Sequence, residues 1–375
     1  MTENANFSSI LREEWKLLIV LATTAIFFLF GNGLMGDLSG LAGATMLLVW
    51  LFVVILLAAF AIVHHAESLA VILGEPIGTL VLTLAVIGIE VMMISAVMLT
   101  GKDNPTVARD TMFAVVMIVM NGMIGLSLLV GGLKHHEQKY NLQGATAYLA
   151  LILPFTVLSL ILPNFTQSSA GATFSALQAI FLSVVSLGIY GLFLVVQNRR
   201  HREHFLAPDK DKDEHDPIHH HDLKVRSKTY HGIFLIVYLL PLVVLAKQMA
   251  IPLNHTIGVL QAPAALAGFL VAVLILSPES MSSIRAAQDN KLQRAINLLL
   301  GSVLATIGLT VPAVLTIGLI TGKTVVLGLD TVDMIILALT LAVSMITFSA
   351  RRTNILLGAV HLLLFLSYLI LIFEK

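Results

Sequence analysis

Eleven stretches of this chain are apolar for long enough to cross a bilayer as helices, and they leave little room for any other fold. They fall at about 15–32, 39–63, 76–99, 107–131, 144–163, 172–196, 231–249, 261–284, 292–320, 331–349 and 354–373. A spanning helix needs about 20 predominantly apolar residues, and in lipid it satisfies its own backbone where an open strand does not. Hydrophobic residues make up 57% of the 375 and charged residues 12%, against about 25% charged in an ordinary soluble domain. Mean hydropathy is +0.93. The expected fold class is an all-α polytopic membrane protein with about 11 transmembrane helices.

Loop charge tests that count. With the N-terminus inside, the inner segments hold Arg12, Lys16, Lys134, Lys139, every Lys and Arg from Arg199 to Lys228, Arg285, Lys291, Arg294, Arg351 and Arg352, which is 17 of the 22 basic residues. The outer segments hold Lys102, Arg109, Lys247, Lys323 and Lys375. This is the bias of the positive-inside rule. It places the N-terminus in the cytoplasm and the C-terminus outside, and one helix more or fewer would scramble it. Residues 1–15 are polar and acidic (Glu3, Glu13, Glu14), and no small-residue cleavage site follows, so the first helix is expected to stay as an anchor. Zero net charge offers nothing to nucleic acid, and the absence of cysteine excludes disulfides, thiolate metal sites and Cys nucleophiles.

Between the sixth and seventh segments lies the only long polar stretch, 197–230. Its run of Asp209, Asp211, Asp213, Glu214 and Asp216, followed by His219, His220 and His221, cannot bury a core. The expectation is a solvated cytoplasmic linker, with regulation by metal or pH as the minority reading. It divides the chain into an N-terminal segment with the first helix (1–38), a five-helix repeat (39–196) and a second five-helix repeat (231–375). An odd number of spans inverts one repeat relative to the other. That architecture recurs in secondary transporters, whose sites lie near the midplane at the repeat interface.

Each repeat carries one carboxylate in its second helix: Glu90 and Glu279. A charged group at such depth costs roughly 2.5–3.5 kcal/mol on insertion scales, and it ordinarily faces a cavity, an ion or a proton path. On a helix, Thr83, Ile87, Ile94 and Val97 share the face of Glu90. Gly78 and Gly88 read as packing devices, and Glu75 as a partner of a helix N-terminus. The following helix brings Asn121, Gly122 and Gly125 to mid-membrane. Beside Glu279, Pro278 is expected to break the helix and free carbonyls that could face a cation. Ser302, Thr306 and Thr310 then form a stripe at i+4 steps, with Thr310 expected to bond its own i−4 carbonyl.

At these residues the chain resembles the calcium/proton exchanger family of the cation/Ca2+ exchanger superfamily, most nearly its bacterial ChaA type. The resemblance rests on Leu73-Gly74-Glu75-Pro76-Ile77-Gly78 leading to Gly88-Ile89-Glu90, on Asn121 to Gly132, on Leu276-Ser277-Pro278-Glu279, and on Asn297 through Gly301-Ser302 to Thr306. It is densest over 64–132 and 262–316, the two α-repeats, with the first repeat's core region at about 73–132, and the acidic, His-rich linker is also similar to that type. The wider superfamily often places an Asn shortly before the Glu; Ile87-Gly88-Ile89 and Leu276-Ser277-Pro278 lack it. Membership implies that Glu90 and Glu279 bind cation and protons in a bacterial inner membrane. The transported ions would be Ca2+ and H+, with Na+ or K+ as the alternative and no cofactor. The bilayer and small inorganic cations are the partners.

Two carboxylates converging in a low-dielectric site cannot both ionise unaccompanied, so protons or a cation must neutralise them. That exclusivity is exchange, provided the empty charged site does not reorient. Ca2+ takes six to eight oxygens at about 2.3–2.6 Å, and Thr83, Asn121, Ser277, Ser302 and Thr306 are the candidates to complete the shell. An intramembrane enzyme would need a motif such as His-Glu-x-x-His inside a span. The histidines instead fall at 64–65, 135–136, 201–221, 231 and 255, read as helix ends and loops. Only His361 lies within a span, and it is expected to bond to a neighbouring helix. A channel is the third class, separable by whether a pH gradient drives saturable transport.

Overall fold

The computed structural model describes residue 10 and residues 12–36, 40–74, 77–100, 104–208 and 226–374. Among these it contains eleven long helices: α1 (Trp15–Gly36), α2 (Leu41–Leu73), α3 (Ile77–Leu99), α4 (Val107–His135), α5 (Leu142–Asn164), α6 (Ala176–Arg200), α7 (Lys228–Val259), α8 (Ala265–Gln288), α9 (Leu292–Thr321), α10 (Thr331–Thr347) and α11 (Ile355–Phe373). Each apolar stretch read from the sequence becomes one of them. Two outgrow the expectation most: α2 runs on to Leu73 and α7 spans Lys228–Val259, so His64, His65, His231 and His255 lie inside helices. Lipid-facing surface is apolar, as on α6, where Leu177, Ile180, Phe181, Val184 and Leu187 are exposed at helical spacing. The acidic linker residues, Asp209 to His221, and Glu75 lie outside the described residues.

The helices gather into two compact units, Met1–Lys102 with His220–Gln261, and Asp103–His219 with Ala262–Lys375. In the first, α2 packs along α7, while α1 and α3 each pack against both. Its interior is small and aliphatic: Ala58, Ala59 and Ile62 of α2, with Leu242, Leu245, Ala246 and Leu253 of α7. Gly78 is a packing device in the strict sense, since a Cβ there would collide with the carbonyl of Ala70. Gly88 differs, because nothing lies within 4 Å of the Cβ it lacks.

In the second unit α4 packs against α8, α9 and α11, α9 against α5 and α6, and α10 against α11. Its loops sort into two sets. In one, β1 (Gln138–Lys139), after α4, pairs antiparallel with β2 (Arg352–Thr353), after α10. Tyr140 donates from its hydroxyl to the Ala350 carbonyl, and Gln138 reaches the Ala287 carbonyl at 2.9 Å. Asn141 and Asn297 donate to the Glu203 and Phe205 carbonyls at 3.0 and 2.7 Å. In the other set Val326 bonds to Pro105 at 2.9 Å, Leu329 to Leu160 at 2.8 Å and Asn164 to the Leu329 carbonyl at 2.7 Å. The loops after α4, α6, α8 and α10 thus meet one another, and those before α4 and after α5 and α9 meet one another. Alternation of this kind is what successive full crossings produce. The first set carries Lys134, Lys139, Arg199, Arg200, Arg202, Arg285, Lys291, Arg294, Arg351 and Arg352; the second carries Arg109 and Lys323.

Candidate functional site

Glu90 sits on α3 at 2% exposure, with Ile87, Ile94 and Val97 of the same face also buried and Thr83 half-buried. The opposite side of α3 shows Leu80 and Leu84 to the exterior. The carboxylate therefore faces protein, as the cost of burying it in lipid demands.

Glu279 belongs to the second unit and is half-buried on α8. The expected break beside it does not occur: α8 is continuous from Ala265 to Gln288 with Pro278 inside. Proline withholds only one N–H, from the Leu274 carbonyl. Ser277 meanwhile gives its hydroxyl proton to the Val273 carbonyl at 2.6 Å. That bond leaves the Ser277 oxygen's lone pairs outward.

Irregularity appears one helix later. Of four π-helical turns among the described residues, Ile118–Met123 interrupts α4 and Thr306–Thr310 interrupts α9, while Val157–Ile161 and Val196–Arg200 lie near the ends of α5 and α6. The turns in α4 and α9 are the ones that follow the glutamate-bearing helices α3 and α8. Such turns shift backbone carbonyls off the regular ladder and are frequent at functional positions. Asn121 (0% exposed) lies in the first turn and Thr306 (1% exposed) in the second. Ser302 is half-buried one turn before. Thr310 does not bond back as expected; its buried hydroxyl has no hydrogen-bond partner, because the π turn displaces the i−4 carbonyl. The packing of α4, α8 and α9 thus collects Asn121, Ser277, Glu279, Ser302 and Thr306 on three mutually touching helices. Asn121 directs its amide elsewhere, donating to Thr340 on α10 at 2.8 Å and facing His361 on α11 at 3.3 Å.

Sequence reading missed a buried cluster in the first unit. The Glu14 carboxylate accepts hydrogen bonds from Tyr230 at 2.5 Å and Tyr238 at 3.0 Å, and lies 3.5 Å from His65 Nε2. Burial pushes the Glu14 carboxyl up; hydrogen bonds from His65 and Tyr230, the electrostatic attraction of the His65 ring and the Tyr238 bond outweigh it, bringing the group from 4.5 to about 2. No local spacing announces the cluster, since His65 and His231 are 166 positions apart. Asp110 was also missed: 6% exposed, it is held by Arg109 and Thr106 at 2.8 and 2.9 Å. Among the described residues His201, Glu203 and His204 bring ligand atoms within 4.8 Å of one another, beside three arginines whose charges oppose a cation.

The family description "Sodium/calcium exchanger protein" matches residues 15–198 and 231–374. The sodium-potassium/proton antiporter ChaA of Escherichia coli (strain K12) is 40% identical over 319 residues, 85% of this chain and 86% of that protein. The solved structure of native YfkE superposes with a TM-score of 0.72 at 18% identity, over 96% of this chain and 100% of that one. The H+/Ca2+ exchanger CAX does so with a TM-score of 0.65 at 15% identity, over 96% and 88%. The two structures attest the fold; the family match on both sides of the linker and the ChaA likeness attest descent. The chain belongs to the sodium/calcium exchanger protein family of antiporters, within the cation/Ca2+ exchanger superfamily.

Proposed function

We propose that this protein is a secondary antiporter that exports Ca2+ from the cytoplasm in exchange for H+, with Glu90 and Glu279 shared between cation and protons in alternation. The observation that carries the reading is Glu90, a carboxylate at 2% exposure on the protein-facing side of a spanning helix. The cost of holding it there is relieved by a proton or a cation, and not fully by both at once. Thr83, Asn121, Ser277, Ser302 and Thr306 support the shell. Of these, Ser277 is best disposed, since its hydroxyl proton is already spent on Val273.

In this reading 39–196 and 231–375 are inverted five-helix repeats in a bacterial inner membrane. The loop set rich in Lys and Arg faces the cytoplasm, with the N-terminus and the 197–230 linker, and the C-terminus lies outside. The linker tunes transport without performing it. The decisive experiment is ΔpH-driven uptake into everted vesicles containing the protein, compared across Ca2+, Na+, K+ and Mg2+. Uptake of Ca2+ above the others supports the reading; flux insensitive to the pH gradient excludes antiport.

A second reading, Na+/H+ or K+/H+ exchange on the same scaffold, is favoured by the sodium-potassium/proton antiporter ChaA at 40% identity. The same comparison decides it, by saturable uptake of Na+ or K+ with Ca2+ inert.

A further inference from the structure

Helices α4 and α11 touch backbone to backbone. A Cβ on Gly125 would come within 3.0 Å of the Gly358 carbonyl and of His361 Cβ, and one on Gly358 within 2.7 Å of the Leu129 nitrogen. A Cβ on Gly122 would come within 3.3 Å of the Phe365 ring. This glycine seam carries the imidazole of His361, itself 0% exposed, to the side chain of Asn121 in the π turn of α4.

Donor accounting fixes the polarity of the row. Thr340 gives its proton to the Ile336 carbonyl at 2.8 Å, so its oxygen accepts from Asn121 Nδ2, also at 2.8 Å. The same Nδ2 lies 3.5 Å from the Met117 sulfur, a weak acceptor. Asn121 Oδ1 is then the end that faces His361 Nδ1 at 3.3 Å, and Nδ1 must carry the proton. In the neutral ring Nε2 is bare and accepts from the Thr347 hydroxyl at 2.9 Å. The reverse polarity would require Thr340 to abandon Ile336.

We propose that His361 is a positioning residue for the antiport: acting through the Asn121 side chain and the Met120 backbone, it holds the π turn of α4 in register with α10 and α11. The inference rests on the antiport reading above. Asn121 then serves the cation through the backbone of Ile118–Met123, which its side chain ties to Thr340 through Nδ2 and to His361 through Oδ1. His361 sets cation affinity without carrying a transported proton.

The test has two arms. In the first, cation half-saturation and the pH profile of ΔpH-driven uptake are measured for the unaltered protein, His361→Leu, His361→Gln, Asn121→Ala and His361→Leu/Asn121→Ala. His361→Leu is expected to raise half-saturation about tenfold, the scale of one buried hydrogen bond. Glutamine, which keeps a donor and an acceptor, should restore most of it, and the pH profile should keep its shape. In the Asn121→Ala background His361→Leu should add less than it does alone, since part of its effect runs through Asn121 and the rest through the Met120 backbone. Additive effects, or an unchanged half-saturation in His361→Leu, overturn the inference while leaving the antiport reading intact. Absence of flux in the unaltered protein overturns that reading and the inference with it. The second arm needs no variant: 15N spectra of the unaltered protein should show a neutral imidazole protonated at Nδ1. A ring protonated at Nε2, or one that titrates as pH changes, overturns the positioning role.

Discussion

The Nδ1 atoms of His65 and His231 face each other at 3.0 Å. One must donate and the other accept. The Arg226 backbone N–H donates to His231 Nε2 at 3.0 Å, so neutral His231 holds its proton on Nδ1. His65 accepts there and turns its own N–H toward Glu14. A buried row with fixed polarity joins the starts of α1 and α7 to α2.

Breaking that row strands buried polar groups. His65→Leu should lower stability by about 1–3 kcal/mol, the cost of leaving a buried donor or acceptor unsatisfied. A thermal melt of the purified protein in detergent, read against the unaltered chain, gives the value. An unchanged midpoint would show that the row contributes nothing.

Acid should attack the same place from its other end. Burial pushes the Glu14 carboxyl up, but its hydrogen-bond donors win and hold it at about 2 in the fold against 4.5 without them. A depressed acid stabilises the fold above its unfolded pKa and loses that contribution as pH falls toward the folded one. The unaltered protein should therefore lose stability as pH drops from 4.5 toward about 2. Glu14→Gln should flatten the slope in that window. Equal slopes would remove Glu14 as a source of acid sensitivity.

Glu90→Gln and Glu279→Gln should each bring ΔpH-driven cation uptake close to background while leaving a folded protein in the membrane. Glutamine keeps the shape and part of the hydrogen bonding but cannot exchange a proton for a cation. Near-normal uptake by either purified variant would take that residue out of the site.

What could be read from the sequence was local or cumulative. The eleven spans follow from runs of apolar residues, and the sorting of Lys134, Arg199, Arg285 and Arg351 to one loop set follows from charge summed over loops. What escaped depends on distant partners or on the backbone's tolerance. His64, His65 and His231 look like helix ends because imidazoles interrupt an apolar run, yet His65 and His231 satisfy each other inside α2 and α7. Pro278 looks like a break, but one missing N–H is too small a loss to end a helix packed on both sides. The π turns at Asn121 and Thr306 have no composition of their own, so nothing in the residue order distinguishes them from ordinary helix. Asn121 was legible as a mid-membrane amide; its engagement with Thr340 and His361, 219 and 240 positions away, was not.

The last expectation concerns the sign of the pH effect on cation binding. If protons and cation compete for Glu90 and Glu279, binding the cation must release protons, and raising the pH must strengthen binding by the same linkage. Each proton released adds up to about tenfold in affinity per pH unit, and the effect levels off once the free site has no proton left to lose. The two steps belong to the pair of carboxylates, not to either alone. The exchanger should therefore be feeble in acid and work best at alkaline pH, suited to expelling cations from an alkaline cytoplasm. Calorimetric titration of the purified protein with Ca2+ across roughly pH 6 to 9, in buffers of different ionisation enthalpy, reads affinity and proton release together. A pH-independent affinity with no proton released would defeat the shared-carboxylate mechanism even if Ca2+ transport itself were observed.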